Sequence, residues 1–282
     1  MTPFELAEPR SLREAIALLD REDTSVRALS GGTALMLMMK TGVFRPKRLV
    51  SLEKLNLAKI ETGPSGELRI GAMARLADIE RSPMVKSGWP VIARTLLTLA
   101  NVRVRNVARL GGHLAHADPH TDLPPLLSAL GARATVAGPA GERTILVEEI
   151  SRGYLETTLR PDELLTSIQV PPLGARRAAY MKCTSRSADD WPALGVAAVL
   201  TLEKELVRDV ILFVSAATDR PTRLAAAEKI LRGGIADEKT LQRAGEAAAE
   251  EVQIEGDLHG SAAYKKQLIR VYLSRTIHEA RK

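Results

Sequence analysis

A Pro-Pro-Leu-Gly sequence at 171–174 interrupts every periodic pattern of the chain and divides it in two. Two adjacent prolines remove two backbone donors and hold the backbone away from helical geometry, so neither a helix nor a central strand continues through them. The predicted boundary therefore separates an N-terminal unit, 1–175, from a C-terminal unit, 176–282. A chain of 282 residues buries enough surface for one large core or for two to three smaller ones.

Residues 1–55 predict a small βαβ unit. Ser11 and Glu14 have the spacing of a capping box, and apolar residues then recur at helical intervals over about 11–21. After this helix, two strand-like runs enclose a glycine break and a second helical run. The strands are expected at 26–30 and 48–52, and the helix between them at 34–40.

Residues 56–175 predict a larger α/β piece, and the C-terminal unit predicts an antiparallel meander with helices. The fold class is therefore α+β: a two-part N-terminal domain followed by an antiparallel sheet with helices. Gly233-Gly234 is expected to end one of these helices. Strands are expected at 60–62, 68–72, 134–137, 143–147, 164–170, 179–183, 195–202 and 207–214, and helices at 76–85, 91–100, 123–130 and, after 222, up to a last helix at 262–275.

Composition excludes several classes of function. The single cysteine, Cys183, excludes an intrachain disulfide framework, a four-thiolate zinc site and an iron-sulfur cluster held by this chain alone. A net charge of +6 with 3% aromatic residues gives no basic stripe with stacking rings, which argues against a nucleic-acid partner. The longest apolar runs, such as 194–202, are about half of the ~20 residues that a membrane helix needs. We expect a cytoplasmic protein, because the N-terminus also lacks an apolar signal core.

Two Gly-Gly pairs are candidates for an anion site, at 30–33 and 109–113. Each follows a strand-like or extended stretch, where glycine lets backbone N–H groups converge at positive φ and lets a ligand approach closely. The second pair also lies in the densest basic stretch, which favours a small anionic ligand. Two such turns would clamp a pyrophosphate, although an ordinary turn uses the same residues.

A segment rich in His and Asp offers a different chemistry. His113 and His116, at i and i+3 with carboxylates nearby, have a spacing that suits zinc, so a metal-dependent enzyme remains an alternative. Pro119 breaks helical geometry inside the segment, and no His-Glu-x-x-His pair or cysteine ligand accompanies it. We favour a polar loop whose Thr121 or Asp122 caps the following helix, and no metal site on this chain.

Two side chains of the C-terminal unit are candidates for ligand contact. Lys182 lies in a strand with a polar centre, and an inward-facing lysine there reaches a phosphate or a carbonyl. Trp191 follows shortly after, and its indole is able to cover a flat ring. A solvated lysine and a core tryptophan are the plain alternatives. Nucleophilic catalysis has little support, because no Gly-x-Ser-x-Gly elbow occurs.

The order of these motifs resembles the FAD-binding medium subunit of the molybdenum hydroxylases, the family that includes carbon monoxide dehydrogenase and the flavin domain of xanthine dehydrogenase. The resemblance spans nearly the whole chain and implies that the N-terminal domain binds FAD, followed by a flavoprotein C-terminal domain. The segments that carry it are 28–35 with 39–40, 104–113, 117–119 with Asp122, 160–165, 182–191, 221–231 and 257–264.

The resemblance also implies the roles of single residues. Residues 28–35 would cradle one phosphate and 109–113 the other, Asp122 would lie on the adenosine side, and Lys182 at the flavin. Trp191 falls where relatives have Tyr or Ile beside the isoalloxazine ring. The residues implied to bind FAD are Ala28, Leu29, Ser30, Gly31, Gly32, Thr33, Ala34, Leu35, Leu99, Val104, Ala108, Arg109, Gly111, Gly112, His113, Asp122, Leu165, Lys182 and Trp191.

Three residues depart from the family pattern. Arg109 stands where Thr or Ser is expected, His113 where Asn or Ser is usual, and Ala34 where a polar residue is common. An arginine beside a pyrophosphate would add a charge-assisted bond, but it is bulkier than a hydroxyl. The side-chain contribution of the second segment is therefore open at this point.

The implied function is that of an electron-transfer subunit. The resemblance implies an iron-sulfur subunit and a molybdopterin-binding large subunit as partners, and NAD, a quinone or oxygen as the external acceptor. The lone cysteine fits that division, because clusters would belong to another chain. A non-catalytic FAD-binding or assembly protein is a further alternative.

Overall fold

The computed structural model describes residues 2–282. The N-terminal part is a three-stranded parallel sheet in the order β1-β3-β2, with a helix after each of the first two strands. The predicted βαβ unit is confirmed, and the short edge strand β1 is an addition to it. These elements are β1 (Glu5–Ala7), α1 (Leu12–Leu18), β2 (Val26–Leu29), α2 (Leu35–Lys40) and β3 (Arg48–Ser51).

Helix α1 begins at the predicted cap but ends early. Ser11 Oγ accepts the N–H of Glu14 at 3.2 Å, and the Glu14 carboxylate accepts the N–H of Arg10 at 2.8 Å. The expected end near 21 was wrong, because the backbone leaves helical geometry at Leu19. The Asp20 carboxylate then caps a turn by accepting two following backbone N–H groups.

The central part is a five-stranded antiparallel sheet in the order β4-β5-β10-β6-β7, covered by helices. A small hairpin, β8-β9, follows a single 3₁₀ turn at Val147–Glu149. The elements are β4 (Ile60–Thr62), β5 (Leu68–Gly71), α3 (Leu76–Arg81), α4 (Pro83–Gly88), α5 (Pro90–Thr98), α6 (Val102–Val107), α7 (Leu110–Ala115), α8 (Leu123–Ala129), β6 (Arg133–Gly138), β7 (Gly141–Leu146), β8 (Ser151–Gly153), β9 (Glu156–Thr157) and β10 (Leu164–Val170).

Two expectations for this part were wrong. The single helix expected at 76–85 is two helices, because Pro83 cannot continue α3 and instead begins α4 behind the Ser82 cap. The stretch before the second glycine pair is helical instead of extended, since Asn101 Oδ1 accepts two N–H groups and starts α6.

The C-terminal part is the predicted antiparallel meander with helices. Strands β11 to β14 pair in chain order, and Gly233, at φ +79°, ends α9 as expected. The last helix runs six residues beyond the expected end at 275. The elements are β11 (Arg177–Cys183), β12 (Leu194–Glu203), β13 (Leu206–Ser215), β14 (Thr222–Arg223), α9 (Ala225–Leu231), α10 (Glu238–Glu251) and α11 (Ala262–Arg281).

Strand β12 is buried on both faces and joins the two predicted units. One face packs under α9 to α11, while Ala197 and Val199 of the other belong to the same core as α8. The cores therefore meet across a broad interface, and the exact boundary near 175 stays a prediction. The α+β fold class is confirmed. Across residues 2–282, no helix has both the length and the hydropathy that crossing a membrane requires.

Candidate functional site

The loop between β2 and α2 carries unused backbone donors. Gly32 has φ +70°, a conformation that favours glycine, and the chain turns there from strand to helix. In the described part of the chain, the N–H groups of residues 31–35 donate to no carbonyl and to no side chain. Neighbouring free N–H groups in such a turn form a concave site for an anion.

The two glycine segments lie against each other. A Cβ atom added to Gly31 would stand 2.4 Å from the carbonyl oxygen of Val107, and one added to Gly112 would stand 3.1 Å from Ser30 Cβ. The approach at Gly31 is closer than a side chain allows, whereas the approach at Gly112 is tight and would be relieved by a small shift of the Ser30 side chain. The three-stranded unit and the α6–α7 connection thus form the two sides of one junction, the crevice between the glycine segments, and at Gly31 only glycine permits that approach.

The second glycine pair is a helix start instead of the expected turn. Gly111-Gly112 lies in the first turn of α7, and neither residue has a positive φ. The N–H of Gly111 donates to Ala72 O at 2.7 Å, and a Cβ on Gly111 would stand 2.7 Å from Ala72 Cβ. Gly111 therefore serves packing, and of this pair Gly112 keeps the free N–H within the described residues.

Two side chains of the second segment leave buried nitrogens without partners. The Arg109 guanidinium places Nη2 at 2.8 and 2.7 Å from the two carboxylate oxygens of Glu53, and its Nε has no partner among residues 2–282. Nε2 of His113 is also buried without a described partner. Burial, aided by the neighbouring His116, lowers the pKa of His113 to about 4, so its imidazole is neutral.

Asp122 and Lys182 form a buried ion pair. Lys182 Nζ donates to Asp122 Oδ2 at 2.9 Å and to the carbonyls of Thr98 and Asp190 at 2.8 and 3.1 Å. Tyr180 Oη donates to the other Asp122 oxygen at 2.7 Å. Burial raises the pKa of Asp122, and the Lys182 charge opposes that rise. Lys182 faces inward as expected, but all three of its donors are occupied.

The expected cap of α8 was wrong. Asp122 occupies the position before α8 but makes no side-chain bond to its N–H groups, because Lys182 and Tyr180 hold both carboxylate oxygens. Thr121 Oγ1 donates to Asp118 O at 2.7 Å instead. Pro124 removes one of the donors that a cap would satisfy.

Trp191 is half exposed and stacks on an imidazole. Its ring centroid lies 5.5 Å from that of His120, with 7° between the planes. The side chain is 49% exposed, so the alternative of a core tryptophan was wrong. The two rings come from distant parts of the sequence, and their contact joins the loop after β11 to the segment before α8.

In the segment rich in His and Asp, the side chains have separate partners and do not form one cluster. His120 lies between the carboxylates of Asp118 and Asp257, while the neutral His113 belongs to α7 within the second glycine segment. In residues 2–282 there is no group of three or more His, Cys, Asp or Glu side chains arranged to hold a metal ion.

Comparison with known proteins identifies the family. The FAD binding domain in molybdopterin dehydrogenase matches residues 2–173, and the CO dehydrogenase flavoprotein C-terminal domain matches residues 178–280. The chain belongs to the FAD-binding family of molybdopterin dehydrogenases. It is an oxidoreductase chain of the medium-subunit type, as the sequence resemblance implies.

Individual relatives align along nearly the whole chain. It is 30% identical to the nicotine 6-hydroxylase medium subunit of Paenarthrobacter nicotinovorans, covering 97% of this chain and 96% of that one. The carbon monoxide dehydrogenase medium chain of Afipia carboxidovorans is 29% identical, covering 99% and 96%. The carbon monoxide dehydrogenase structure from Hydrogenophaga pseudoflava superposes with a TM-score of 0.95 at 31% identity, covering 99% and 98%.

The crevice fits the diphosphate of FAD. The free N–H groups of 31–35 suit phosphate oxygens, and the glycine approaches bring Gly31 against the Val107 backbone and Gly112 against the Ser30 side chain. The unpartnered Nε2 of His113 adds a polar atom at the same place. The buried polar groups here have donors to spare, as an anionic cofactor requires.

The remaining predicted site residues lie in two clusters. The first is the pair of glycine segments, with Ala28, Leu29, Ala34, Leu35 and Ala108 on their flanks. The second is Asp122, Lys182 and Trp191. Leu99 is buried at the end of α5, Val104 is partly buried within α6, and Leu165 is buried on β10.

Two contacts of the site were not foreseen. Glu53 binds Arg109 across the crevice, a tertiary contact that no local pattern signals. Tyr180 binds Asp122 beside Lys182, and here a signal existed: residues two apart on a strand share a face.

Proposed function

We propose that this chain is the FAD-binding electron-transfer subunit of a multi-subunit molybdenum hydroxylase, and that it passes electrons from an iron-sulfur subunit to an external acceptor. The observation that carries the proposal is the crevice of free N–H groups between two glycine-lined walls. The relatives named medium subunit or medium chain support the assignment.

The residues of the site have distinct tasks. Residues 31–35 would bind the diphosphate through backbone donors, and the N–H of Gly112 would add a donor from the opposite wall. Asp122 is buried, and its bonds to Lys182 and Tyr180 would fix the positions of those two side chains. When bound, FAD supplies the redox chemistry, and the protein supplies binding, orientation and the polar surroundings.

The partners follow from the division of chemistry. One cysteine cannot ligate an iron-sulfur cluster, so we assign the clusters to a separate iron-sulfur subunit and the molybdopterin to a large subunit. The acceptor is NAD, a quinone or oxygen.

Reconstitution tests the proposal directly. Purified chain incubated with FAD and then freed of unbound FAD by gel filtration should be yellow and carry one FAD per chain, and dithionite followed by NAD, a quinone or oxygen should reveal which acceptor reoxidises it. Affinity purification from the native host should recover iron-sulfur and molybdopterin subunits. A chain that stays colourless at every FAD concentration contradicts the proposal, and yellow protein recovered without those partners contradicts the subunit assignment.

A further inference from the structure

His120 is held on both sides by carboxylates. Nδ1 lies 2.8 Å from Asp118 Oδ1, and Nε2 lies 2.7 Å from Asp257 Oδ2. An imidazole between two carboxylate acceptors satisfies both bonds only when both nitrogens carry protons. Burial lowers the pKa of His120, but the two carboxylates outweigh burial and place that pKa above its usual 6.5.

The charges around His120 are balanced by a buried lysine. Lys265 of α11 is almost fully buried, and its Nζ donates to Asp257 Oδ2 at 2.6 Å and to Ala216 O at 2.7 Å. His259 lies beside the imidazole at 5.0 Å between ring centroids, tilted by 48°. His116 also acts on Asp118 through its charge. We call His120 with its two carboxylate partners and Lys265 the clamp. The clamp joins α11 and the loop before it to the segment before α8.

The indole of Trp191 has one covered face and one open face. The nearly parallel His120 ring covers one face, while the side chain remains 49% exposed. The residue before it is also fixed, because Lys182 Nζ donates to the Asp190 carbonyl at 3.1 Å. Trp191 is therefore oriented from two directions, by Lys182 through the backbone and by His120 through the ring.

We propose that His120 is a positioning residue that holds Trp191 so that the open face of the indole stacks on the isoalloxazine ring. The inference rests on the proposed function, since it needs FAD in the crevice. A ring clamped by two carboxylates gives the indole a rigid support, and offset stacking of flat rings requires such a fixed orientation. His120 acts through Trp191 and does not itself touch the cofactor.

The stack is tested without FAD, by the emission of Trp191. The contribution of Trp191 is the difference between each protein and its Trp191→Phe counterpart, which cancels the buried Trp89. His120→Gln removes a protonated ring that quenches the indole, so we expect at least a twofold rise in that contribution and easier quenching by acrylamide. Asp118→Asn loosens the clamp from a second side and should act in the same direction. His278→Gln, on α11, is the matched control and should change neither quantity.

The orientation toward the cofactor is tested with FAD bound. Trp191→Leu and His120→Gln should retain FAD within about threefold of the wild-type affinity and should shift the visible circular dichroism of the flavin in the same direction. His278→Gln should leave the spectrum unchanged.

The outcomes separate the two proposals. Unchanged Trp191 emission in both His120→Gln and Asp118→Asn overturns the inference. If the visible circular dichroism of bound FAD is unchanged by Trp191→Leu or by His120→Gln, the inference alone is overturned and the proposed function stands. Wild-type protein that binds no FAD overturns the proposed function, and the inference with it.

Discussion

The pairs Gly31-Gly32 and Gly111-Gly112 have the same sequence and different structures. The first lies in a loop, with φ +70° at Gly32 and a run of free backbone donors after it. The second lies in the first turn of α7, where the N–H of Gly111 is already bonded to Ala72. At Gly32, glycine makes a conformation possible. At Gly111, it makes close contact with Ala72 possible.

The difference separates binding from packing in a single crevice. By sequence motif, both pairs are equivalent phosphate-binding turns. In the structure, only the first pair is followed by several free backbone N–H groups. The second pair brings its side of the crevice against the first pair and its free donors. The contacts are those of Gly31 with Val107 and of Gly112 with Ser30. A substitution at Gly32 should therefore affect FAD binding more than stability, and a substitution at Gly111 the reverse.

The largest expected effect is at Gly32. Gly32→Asp places a carboxylate beside the diphosphate and should weaken FAD binding at least 1000-fold. Gly32→Asn is the matched control, because Asn and Asp tolerate the left-handed conformation about equally. It should weaken binding less than 100-fold. FAD titration followed at the flavin absorption band measures both, and equal affinities for Asp and Asn would show that no phosphate lies there.

The next effect is on stability, at Gly111. Gly111→Ala forces a methyl group to within 2.7 Å of Ala72 Cβ and 3.0 Å of its carbonyl oxygen, so either backbone must move. Overpacking of this kind costs about 3 kcal/mol. Urea unfolding of the FAD-free protein measures it. Gly112→Ala, which meets only the Ser30 side chain at 3.1 Å, should cost about 1 kcal/mol or less. A smaller loss for Gly111→Ala than for Gly112→Ala would contradict the packing role.

The third effect is the pH dependence of stability that the buried His113 causes. The pKa of His113 is about 4 in the folded protein, against 6.5 for an unperturbed histidine, so the unfolded chain binds the proton more readily. The contribution of the neutral His113 to the free energy of unfolding is present above pH 6.5 and is lost as pH falls toward 4. At pH 5 the loss is about 2 kcal/mol.

His113→Asn should remove that dependence from the FAD-free protein. Its free energy of unfolding, measured in urea at pH 7 and pH 5, should fall by about 2 kcal/mol less than that of the wild type. The lowered pKa of His116 acts in the same direction in both proteins and cancels from the difference. Identical pH dependence in the two proteins would show that His113 is not buried neutral.

Much of the fold was predictable because its signals are local. The Ser11 cap, the short apolar runs of β2 and β3, and the proline-rich break each act within a few residues. Strand β1 has three residues, none of them buried, so period and burial gave no signal. Helix α6 has a basic sequence without an apolar stripe, and its one available sign was Asn101 at the cap.

The site was predictable as a set of residues and not as an arrangement. The glycine segments and the charged pair were identifiable by type, and the family resemblance placed them. That Gly31 contacts Val107, or that the three donors of Lys182 are occupied by Asp122 and two carbonyls, depends on tertiary packing of distant segments. The α8 cap was mispredicted for the same reason, since Asp122 has a stronger partner elsewhere.

The smallest expected effect is at Arg109, the family departure. Its guanidinium binds Glu53, whose side chain is 57% exposed, so the pair spans the crevice wall at the surface. Arg109→Ser restores the family pattern and should cost about 1 kcal/mol of stability, the upper end for a surface ion pair, because the Arg109 side chain is only 10% exposed. FAD affinity should change less than tenfold, because the backbone donors of the first pair remain. A double-mutant cycle with Glu53→Gln isolates the pair. A loss of 100-fold or more in FAD affinity would instead place the guanidinium on the diphosphate, and the second segment would then contribute by charge what it lacks in free N–H groups.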